Sequence, residues 1–446
     1  MLYYLLLYTP MFELMEYLIN MPAYVKVGTS FFGILLASRA GLPLGYAIVL
    51  FSAALSLWTG AGGEGLVAAF SSLLHAENFL LTILVFVLLF FTESLDRSGR
   101  IRDTIDSLQA MFGNRRLLFS GMPALIGLLP MPGGALFSAP LVASMDQAGE
   151  LDTPHKAAVN YWFRHIWEYW WPLYPGVILA VRYSELPYYA FLAIQFPFTL
   201  AAAAGGYFFI LRKIEKRPAA AETGVAPVKA FSALGPILLL VAVSVAGSAL
   251  LPYAGWTGII ASEISMLAGL FLALTVVFAG RPDSLAPSLQ LFSQGSTWKM
   301  IVLVAGIQVF SAVLKAPAGI ENGTLVTMMR DEFVQAGIPI VSLIMLIPFI
   351  SGLVTGVAFG FVGTSFPIVF ALAGPNPDLG ALAATTACAY GFGYMGMMIS
   401  PVHICFVVTC EYFRSPLLSA YRYLAGPVAV VLFASLILSG LYYLAL

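Results

Sequence analysis

The feature that most constrains this chain is a series of apolar runs, each about 17–25 residues long and almost free of charge. Three of them contain the stretches LTILVFVLLFF, ILLLVAVSVAGSALL and GPVAVVLFASLILSGLYYLAL. A run of this length crosses the hydrocarbon core of a bilayer as an α-helix. Charged residues make up only 10% of the sequence, against about 25% in soluble domains. The pattern therefore predicts an all-α polytopic membrane protein surrounded by lipid.

The charge balance and the cysteines point to no additional chemistry. The formal net charge is −1, which gives no reason to expect a nucleic-acid partner. The three cysteines, Cys388, Cys405 and Cys410, lie in apolar stretches, where cysteine acts as a small buried hydrophobe. We therefore assign them no disulfide or metal-binding role, and we expect no cofactor beyond a coupling ion.

About ten transmembrane crossings are predicted, in two sets of five separated by a polar linker. The linker, residues 212–229, is rich in Pro, Ala and charge, and it divides repeat 1 (residues 23–211) from repeat 2 (residues 230–446). Residues 1–22 are predicted to form an interfacial helix, with an eleventh crossing as the alternative. The crossings are predicted over residues 23–38, 43–59, 78–95, 156–182 and 186–211, and over residues 230–250, 257–279, 299–315, 380–412 and 420–445.

Two further apolar stretches, residues 115–149 and 338–374, are predicted to form re-entrant hairpins. Each is long enough for two half-crossings and contains a Gly- and Pro-rich segment. Irregular backbone at membrane depth is tolerated only where it is buried in protein or lines a watery cavity. The hairpins therefore mark the part of the chain where a binding site is expected.

Matching motifs indicate an internal duplication. The S-A-P motif at residues 138–140 matches the S-F-P motif at residues 365–367, and Pro172 matches Pro401 at nearly the same offset. Five crossings in each half place the second half upside down relative to the first. The sequence thus predicts two inverted repeats, each with a re-entrant hairpin followed by a broken helix, at residues 156–182 and 380–412.

The basic residues predict the orientation in a cell inner (plasma) membrane. Sixteen of the 21 Lys and Arg residues fall on one side of the predicted topology. The positive-inside rule makes that side cytoplasmic. The linker is then cytoplasmic, and both termini are predicted to lie outside.

The first broken helix carries three ionisable residues within NYWFRHIWEYWWPLYP, residues 160–175. Asn160, Arg164 and Glu168 are spaced four apart and share a helix face, with His165 beside Arg164. One interpretation is a structural Arg164–Glu168 ion pair that lowers the cost of charge in the membrane. The other is that Asn160 and Arg164 bind an anion, while Glu168 or His165 carries a proton.

The predicted hairpin centres supply small and hydroxylated residues. They are Gly133, Gly134 and Ser138 in the first hairpin, and Gly363, Thr364 and Ser365 in the second. Half-helices that meet at such a tip present free N–H groups to a carboxylate, and unwound carbonyls suit Na⁺. Alternatively, these residues only allow close helix packing.

The second broken helix reads YGFGYMGMMISPVHICF. Its GxGxxG string follows no strand of a βαβ unit, so close packing rather than dinucleotide binding explains the glycines. Ser400 and His403 flank Pro401 at the break, which makes Ser400 a candidate for substrate binding and His403 one for proton coupling. The alternative for His403 is a buried polar group that is satisfied by its neighbours.

The segments LPMPGGALFSAP, NYWFRHIWEYWWPLYP and MMISPVHIC together resemble the ion-transporter superfamily, which includes citrate, gluconate and C4-dicarboxylate permeases. Within it they resemble a prokaryotic branch of membrane proteins of unknown function. The resemblance implies a homodimer and an elevator mechanism, in which residues 115–182 and 338–412 move against a scaffold. The Na⁺-coupled dicarboxylate branch carries Ser-Asn-Thr at its tips, whereas this chain has Ser-Ala-Pro and Ser-Phe-Pro.

The function expected from these features is secondary active transport of a small organic anion of the carboxylate class, coupled to H⁺ or Na⁺. The protein is not expected to be an enzyme. Two alternatives remain open at this point: a membrane-embedded metal-dependent or serine enzyme, and a passive anion channel. The chain has no H-E-x-x-H or G-x-S-x-G pattern.

Overall fold

The structure is a computed structural model that describes most of the chain. The described residues are 18, 20–59, 62–100, 114–128, 134–146, 149–215, 234–256, 258–318, 323–374 and 377–446. Nearly all of the predicted interfacial helix and most of the predicted linker therefore lie outside the described residues.

The described residues fold into α-helices joined by short 3-10 turns and one small hairpin, β1 (Pro317–Ala318) and β2 (Gly323–Thr324). In the first half the helices are α1 (Ala23–Arg39), α2 (Leu44–Trp58), α3 (Gly62–Ser71), α4 (Ala76–Arg97), α5 (Arg115–Gly127), α6 (Ala135–Ser144), α7 (Thr153–Arg164), α8 (Pro175–Ser184) and α9 (Tyr188–Phe209). In the second half they are α10 (Leu234–Leu250), α11 (Gly258–Gly280), α12 (Leu285–Ser288), α13 (Gly295–Lys315), α14 (Leu325–Gln335), α15 (Ile340–Thr355), α16 (Ala358–Leu372), α17 (Leu379–Met398), α18 (Ile404–Tyr412) and α19 (Leu417–Ala445).

Six of the described segments are long and apolar enough to cross a bilayer, so the protein is an all-α, membrane-embedded protein. They are Ala76–Arg97, Tyr188–Lys213, Leu234–Ala254, Gly258–Gly280, Gly295–Lys315 and Leu417–Ala445. Shorter apolar helices, among them α2, α15 and α16, pack between them. A helix or a helix pair occupies each of the ten predicted crossings.

The sequence did not predict α3, α14 or the short turns between residues 282 and 293. Helix α3 is short and starts in a glycine-rich segment with Glu64, so it carries little membrane signal. Helix α14 includes the charged stretch Arg330-Asp331-Glu332, and Thr324 caps its N-terminus. Its Glu332 carboxylate accepts hydrogen bonds from the backbone N–H groups of Ala23 and Tyr24, which anchors the start of α1.

Where the two hairpins are predicted, the structure has two pairs of packed helices, α5–α6 and α15–α16. The turn of the second hairpin is at Gly356 and Val357, where Gly356 adopts a φ of +64°. Gly363, Thr364 and Ser365, predicted at the centre of this hairpin, instead lie inside α16, and this part of the prediction is wrong. A single glycine in the left-handed region ends α15, whereas the glycines within α16 serve helix packing.

Several helices of one half pack on helices of the other half in a reciprocal pattern. Helix α2 of the first half packs on α13 of the second, and α11 of the second packs on α4 of the first. Likewise, α8 packs on the second hairpin at α16, and α18 packs on the first hairpin at α6. Helices α7 and α17 lie at the centre, where nearly all their side chains are buried.

Candidate functional site

The two helix breaks and the tip of the second hairpin enclose a cavity of about 320 Å³. Residues at or next to the two breaks that line it include Arg164, His165, Glu168, His403 and Cys405. Gly356 and Val357 of the hairpin turn form part of the wall, and Thr92 and Glu93 of α4 with Thr297 of α13 lie opposite. The cavity therefore lies where two discontinuous helices meet a pair of long, continuous ones.

The first break covers residues 165–174, between α7 and α8. Pro175 occupies the first turn of α8, where its missing N–H would have no intrahelical acceptor anyway. The indole N–H groups of Trp167 and Trp171 donate to the carbonyls of Ala124 and Leu128, each at 2.9 Å, and the Tyr174 hydroxyl donates to the Gly127 carbonyl. These carbonyls end α5 and lack helical partners, so the aromatic cluster satisfies the exposed end of the first hairpin helix.

The second break covers residues 399–403, between α17 and α18. The Ser400 hydroxyl donates to the Leu353 carbonyl at 2.7 Å, near the end of α15. Ser400 also accepts from the N–H of Val402, and it does not line the cavity. Its placement at the break is as predicted, but its side chain holds the second hairpin in place.

Reciprocal hydrogen bonds join the two breaks. The Tyr161 hydroxyl of α7 donates to the Met398 carbonyl at the end of α17, at 2.9 Å. In return, the Tyr390 and Tyr394 hydroxyls of α17 donate to the Glu168 and His165 carbonyls of the first break, at 2.5 and 2.7 Å. Each half thus supplies tyrosines that satisfy backbone carbonyls left open in the other half.

The Arg164 side chain is only 4% exposed and reaches the tip of the first hairpin. A Cβ placed on Gly134, the N-cap of α6, would lie 2.4 Å from Arg164 Nη2. On its other side Arg164 Nη1 lies 3.1 Å from Cys405 Sγ of the second broken helix. The structure therefore brings together Arg164 and Gly134, as predicted for a site at this tip, and adds Cys405.

Glu168, His165 and His403 gather beside the guanidinium. Glu168 Oε1 lies 3.8 Å from His165 Nε2, and the two imidazole rings are 5.1 Å apart and nearly perpendicular. All three side chains are buried. The three residues predicted for proton coupling therefore form one cluster with Arg164.

Other predicted residues lie near the cavity without lining it. Asn160 Nδ2 donates to Thr409 Oγ1 at 3.1 Å and to the Ala135 carbonyl at 3.4 Å, which ties α7 to both α18 and α6. The Ser138 hydroxyl bonds to the Gly134 carbonyl one turn earlier in α6. Gly133 lies outside the described residues.

The three residues predicted at the centre of the second hairpin belong to helix packing. The hydroxyls of Thr364 and Ser365 donate to the carbonyls of Gly360 and Phe361 in the preceding turn of α16. Gly363 faces α13, where a Cβ would meet the Ile307 side chain at 2.1 Å. None of these three residues lines the cavity.

A second, larger cavity of about 1190 Å³ lies at the opposite end of the same helices. Its lining includes Arg182 of α8, Gln308 and Lys315 of α13, and Pro367 of α16. Helices α4, α8 and α16 line the smaller cavity with one end and the larger cavity with the other. The two cavities therefore face opposite ends of one helix bundle.

A family model described as "Protein of unknown function (DUF401)" matches residues 29–445. The chain belongs to the DUF401 family. A comparison with curated proteins finds no match. The match includes both hairpins and both breaks, so the cavity lies entirely within the DUF401 region.

Among the residues of this DUF401 protein that line the cavity without having been predicted, there is one potential metal ligand, Cys405. It was interpreted as a buried hydrophobe, but it lines the cavity and contacts Arg164. The signal that was available is the H-x-C spacing of His403 and Cys405 directly after the proline break. The packing interpretation of the GxGxxG string is confirmed, because a Cβ on Gly396 would lie 2.1 Å from the Phe349 carbonyl oxygen of α15.

Proposed function

We propose that the protein is a secondary active transporter of a small organic anion of the carboxylate class. The observation that carries the proposal is the buried Arg164 guanidinium on the wall of the 320 Å³ cavity, between a hairpin tip and the second broken helix. A planar guanidinium matches a carboxylate with two parallel hydrogen bonds.

The cost of placing this charge supports a functional role. An arginine within a membrane segment is expensive, and such residues mark substrate or ion pathways. The cavity volume is at the small end of the range for ligand pockets, about 300–1,000 Å³, which favours a small anion. The rest of its lining combines aliphatic and aromatic residues, including Leu88, Leu173 and Phe359, with polar residues of α4 and of the start of α13: Thr92, Glu93, Gln294, Ser296 and Thr297.

The exchanged contacts between the halves support the inverted-repeat topology. A pseudo-two-fold axis in the membrane plane produces reciprocal contacts of this kind. They pair α2–α13 with α11–α4 and α8–α16 with α18–α6, and the tyrosine hydrogen bonds between the breaks are reciprocal as well. We infer about ten crossings in two inverted repeats, with the linker cytoplasmic and the termini outside. Together with the resemblance to the ion-transporter superfamily, this supports an elevator-type homodimer.

Two cavities at opposite ends of α4, α8 and α16 fit alternating access, in which each cavity belongs to one side of the membrane. Coupling requires that the ion binds with different free energy in the two states. H⁺ and Na⁺ are the candidates, with Glu168, His165 and His403 as the groups predicted to carry a proton.

A transport assay tests the proposal. A thermal-shift screen of carboxylates, with and without Na⁺ and at several pH values, first selects a ligand, and proteoliposome uptake of that ligand follows. We expect uptake to rise when a pH or Na⁺ gradient is imposed. Arg164→Lys is expected to reduce uptake roughly 10-fold or more, because the ammonium cannot form the two parallel bonds.

Arg422→Lys is the matched control, since this arginine is largely exposed and pairs with Asp152 at the surface. Its uptake should equal that of the unmodified protein. Ligand flux that ignores both gradients would identify a passive channel instead. Undiminished uptake by an Arg164→Ala variant would refute the role of the guanidinium.

A further inference from the structure

Three potential metal ligands from the two helix breaks converge on one point of the cavity wall. The ligand atoms of His165, His403 and Cys405 all lie within 4.8 Å of one another. They come from sequence positions 240 residues apart, so the cluster exists only because the two broken helices meet. A fourth potential ligand, Glu168 Oε1, lies 3.8 Å from His165 Nε2.

The hydrogen bond of His165 prepares its other nitrogen for a metal. Nδ1 lies 2.6 Å from the Tyr161 carbonyl oxygen, which only accepts hydrogen bonds. Nδ1 therefore carries the proton, and Nε2 presents its lone pair toward Glu168. Metal-binding histidines commonly have this arrangement, in which a carbonyl fixes the ring orientation and the tautomer.

His403 provides the second, independent observation. Its side chain is only 5% exposed, and within the part of the chain that the structure describes neither ring nitrogen has a hydrogen bond of normal geometry. The Gly356 backbone gives the ring a weak polar contact, and the ring packs edge-on against His165 and Tyr161. Burying these nitrogens without a well-formed hydrogen bond is unfavourable, so a metal bound to one of them would stabilise the site.

We propose that His165, His403 and Cys405 bind a zinc-type divalent ion, with Glu168 or a ligand from the cavity at the fourth position. Tetrahedral Zn²⁺ with bonds of about 2.0–2.3 Å sets its ligand atoms about 3.3–3.7 Å apart. The present limit of 4.8 Å is about 1 Å wider than these values, so the side chains must turn inward when the ion binds. A thiolate with two imidazoles selects Zn²⁺ over Mg²⁺ and Ca²⁺, which prefer oxygen ligands.

The ligands balance the charge of the metal, and Arg164 leaves one positive charge beside the site. When the ion binds, the Cys405 thiol releases its proton to solvent and the sulfur binds as a thiolate. The thiolate and the Glu168 carboxylate together offset the two positive charges of the metal. Arg164 Nη1, 3.1 Å from the sulfur, donates to the thiolate on its other side.

The inference does not rest on the transport proposal, and the two are measured separately. Purified protein stripped with a chelator is titrated with Zn²⁺ in the absence of any organic anion, and bound metal is quantified after dialysis. We expect one Zn²⁺ per chain. Cys405→Ser and His403→Ala should each weaken binding by roughly 100-fold, the upper end of the effect of losing even an outer partner.

Matched controls are Cys388→Ser, a buried cysteine outside the cluster, and His75→Ala, an exposed histidine. Both should retain full binding. Cobalt provides a readout that misfolding cannot imitate, because Co²⁺-loaded protein should show a thiolate-to-metal charge-transfer band. Cys405→Ser should abolish this band. The variant should still elute as a monodisperse species and unfold cooperatively. Substoichiometric Zn²⁺, binding that survives both ligand substitutions, or Co²⁺ binding without the band would overturn the proposal.

Discussion

At the residue scale, the Arg164 side chain lies against Gly134 and so connects the tip of the first hairpin to the cavity. Gly134 has an ordinary helical φ of −55°, so its backbone does not require glycine. What excludes a side chain is the guanidinium, because a Cβ would lie 2.4 Å from Nη2 and 3.0 Å from Cζ. Glycine at this position therefore gives the arginine room to lie against the tip.

Gly134→Ala is predicted to impair ligand binding with little loss of stability. The clashing atoms are at the far end of a flexible side chain, which can move away and take the guanidinium out of position. We expect ligand affinity in the thermal-shift assay to fall roughly 10-fold, about 1.4 kcal/mol. The apparent melting temperature without ligand should change little.

Gly440→Ala is the control for this substitution, because a Cβ there, near the C-terminal end of α19, meets nothing within 4 Å. It should leave ligand affinity unchanged and stabilise the helix by up to about 1 kcal/mol. A Gly134→Ala protein that binds ligand normally would show that Arg164 does not need its present position.

At the element scale, the tryptophans of the first break act as a cap for the C-terminal end of α5. Carbonyls at the end of a helix have no helical partner, and in the membrane interior water does not replace it. Trp171→Phe keeps an aromatic ring but removes the N–H that bonds to the Leu128 carbonyl. We expect a loss of about 1–3 kcal/mol in the free energy of unfolding.

The measurement is thermal unfolding in detergent together with amide hydrogen exchange of residues 115–128. Exchange should become faster at the C-terminal end of α5. Trp298→Phe is the control, since its indole is exposed at the start of α13 and should cost little. Equal destabilisation by both substitutions would contradict a capping role for Trp171.

Most helices and both helix breaks can be predicted from the sequence, because apolar runs and proline breaks depend on local chemistry. The breaks near Pro172 and Pro401 were located to within a few residues. The turn of the second hairpin was misplaced because small residues favour both tight turns and close helix packing. The φ of +64° at Gly356 distinguishes the turn from glycines that serve helix packing, and this backbone conformation is set by the tertiary fold. Cys405 was missed for a similar reason, since its contacts with Arg164 and His165 link distant parts of the chain.

At the scale of the whole molecule, the elevator proposal divides the bundle into a moving part and a scaffold. Residues 115–182 and 338–412 contain both hairpins and both breaks, and helices such as α4, α11 and α13 form the surroundings. Helix α16 belongs to the moving part and packs on α13 of the scaffold, where Gly363 faces Ile307. If α16 moves relative to α13, fixing this contact must stop transport.

Ile307→Cys with Gly363→Cys is predicted to trap the transporter. The Cβ atoms would lie 3.9 Å apart, within the range for a disulfide, and the isoleucine substitution also removes the atoms that crowd Gly363. Oxidation should abolish uptake, and a reductant should restore it. Ile48→Cys with Gly306→Cys, with Cβ atoms 3.6 Å apart, links α13 to α2 inside the scaffold. Because a Cβ at position 306 also lies 2.9 Å from the Gly45 carbonyl oxygen, the uptake of this variant is compared before and after oxidation, and it should not change. Uptake that continues in a fully cross-linked 307–363 variant would mean that α16 does not slide past α13, because a disulfide of about 2 Å permits no such displacement.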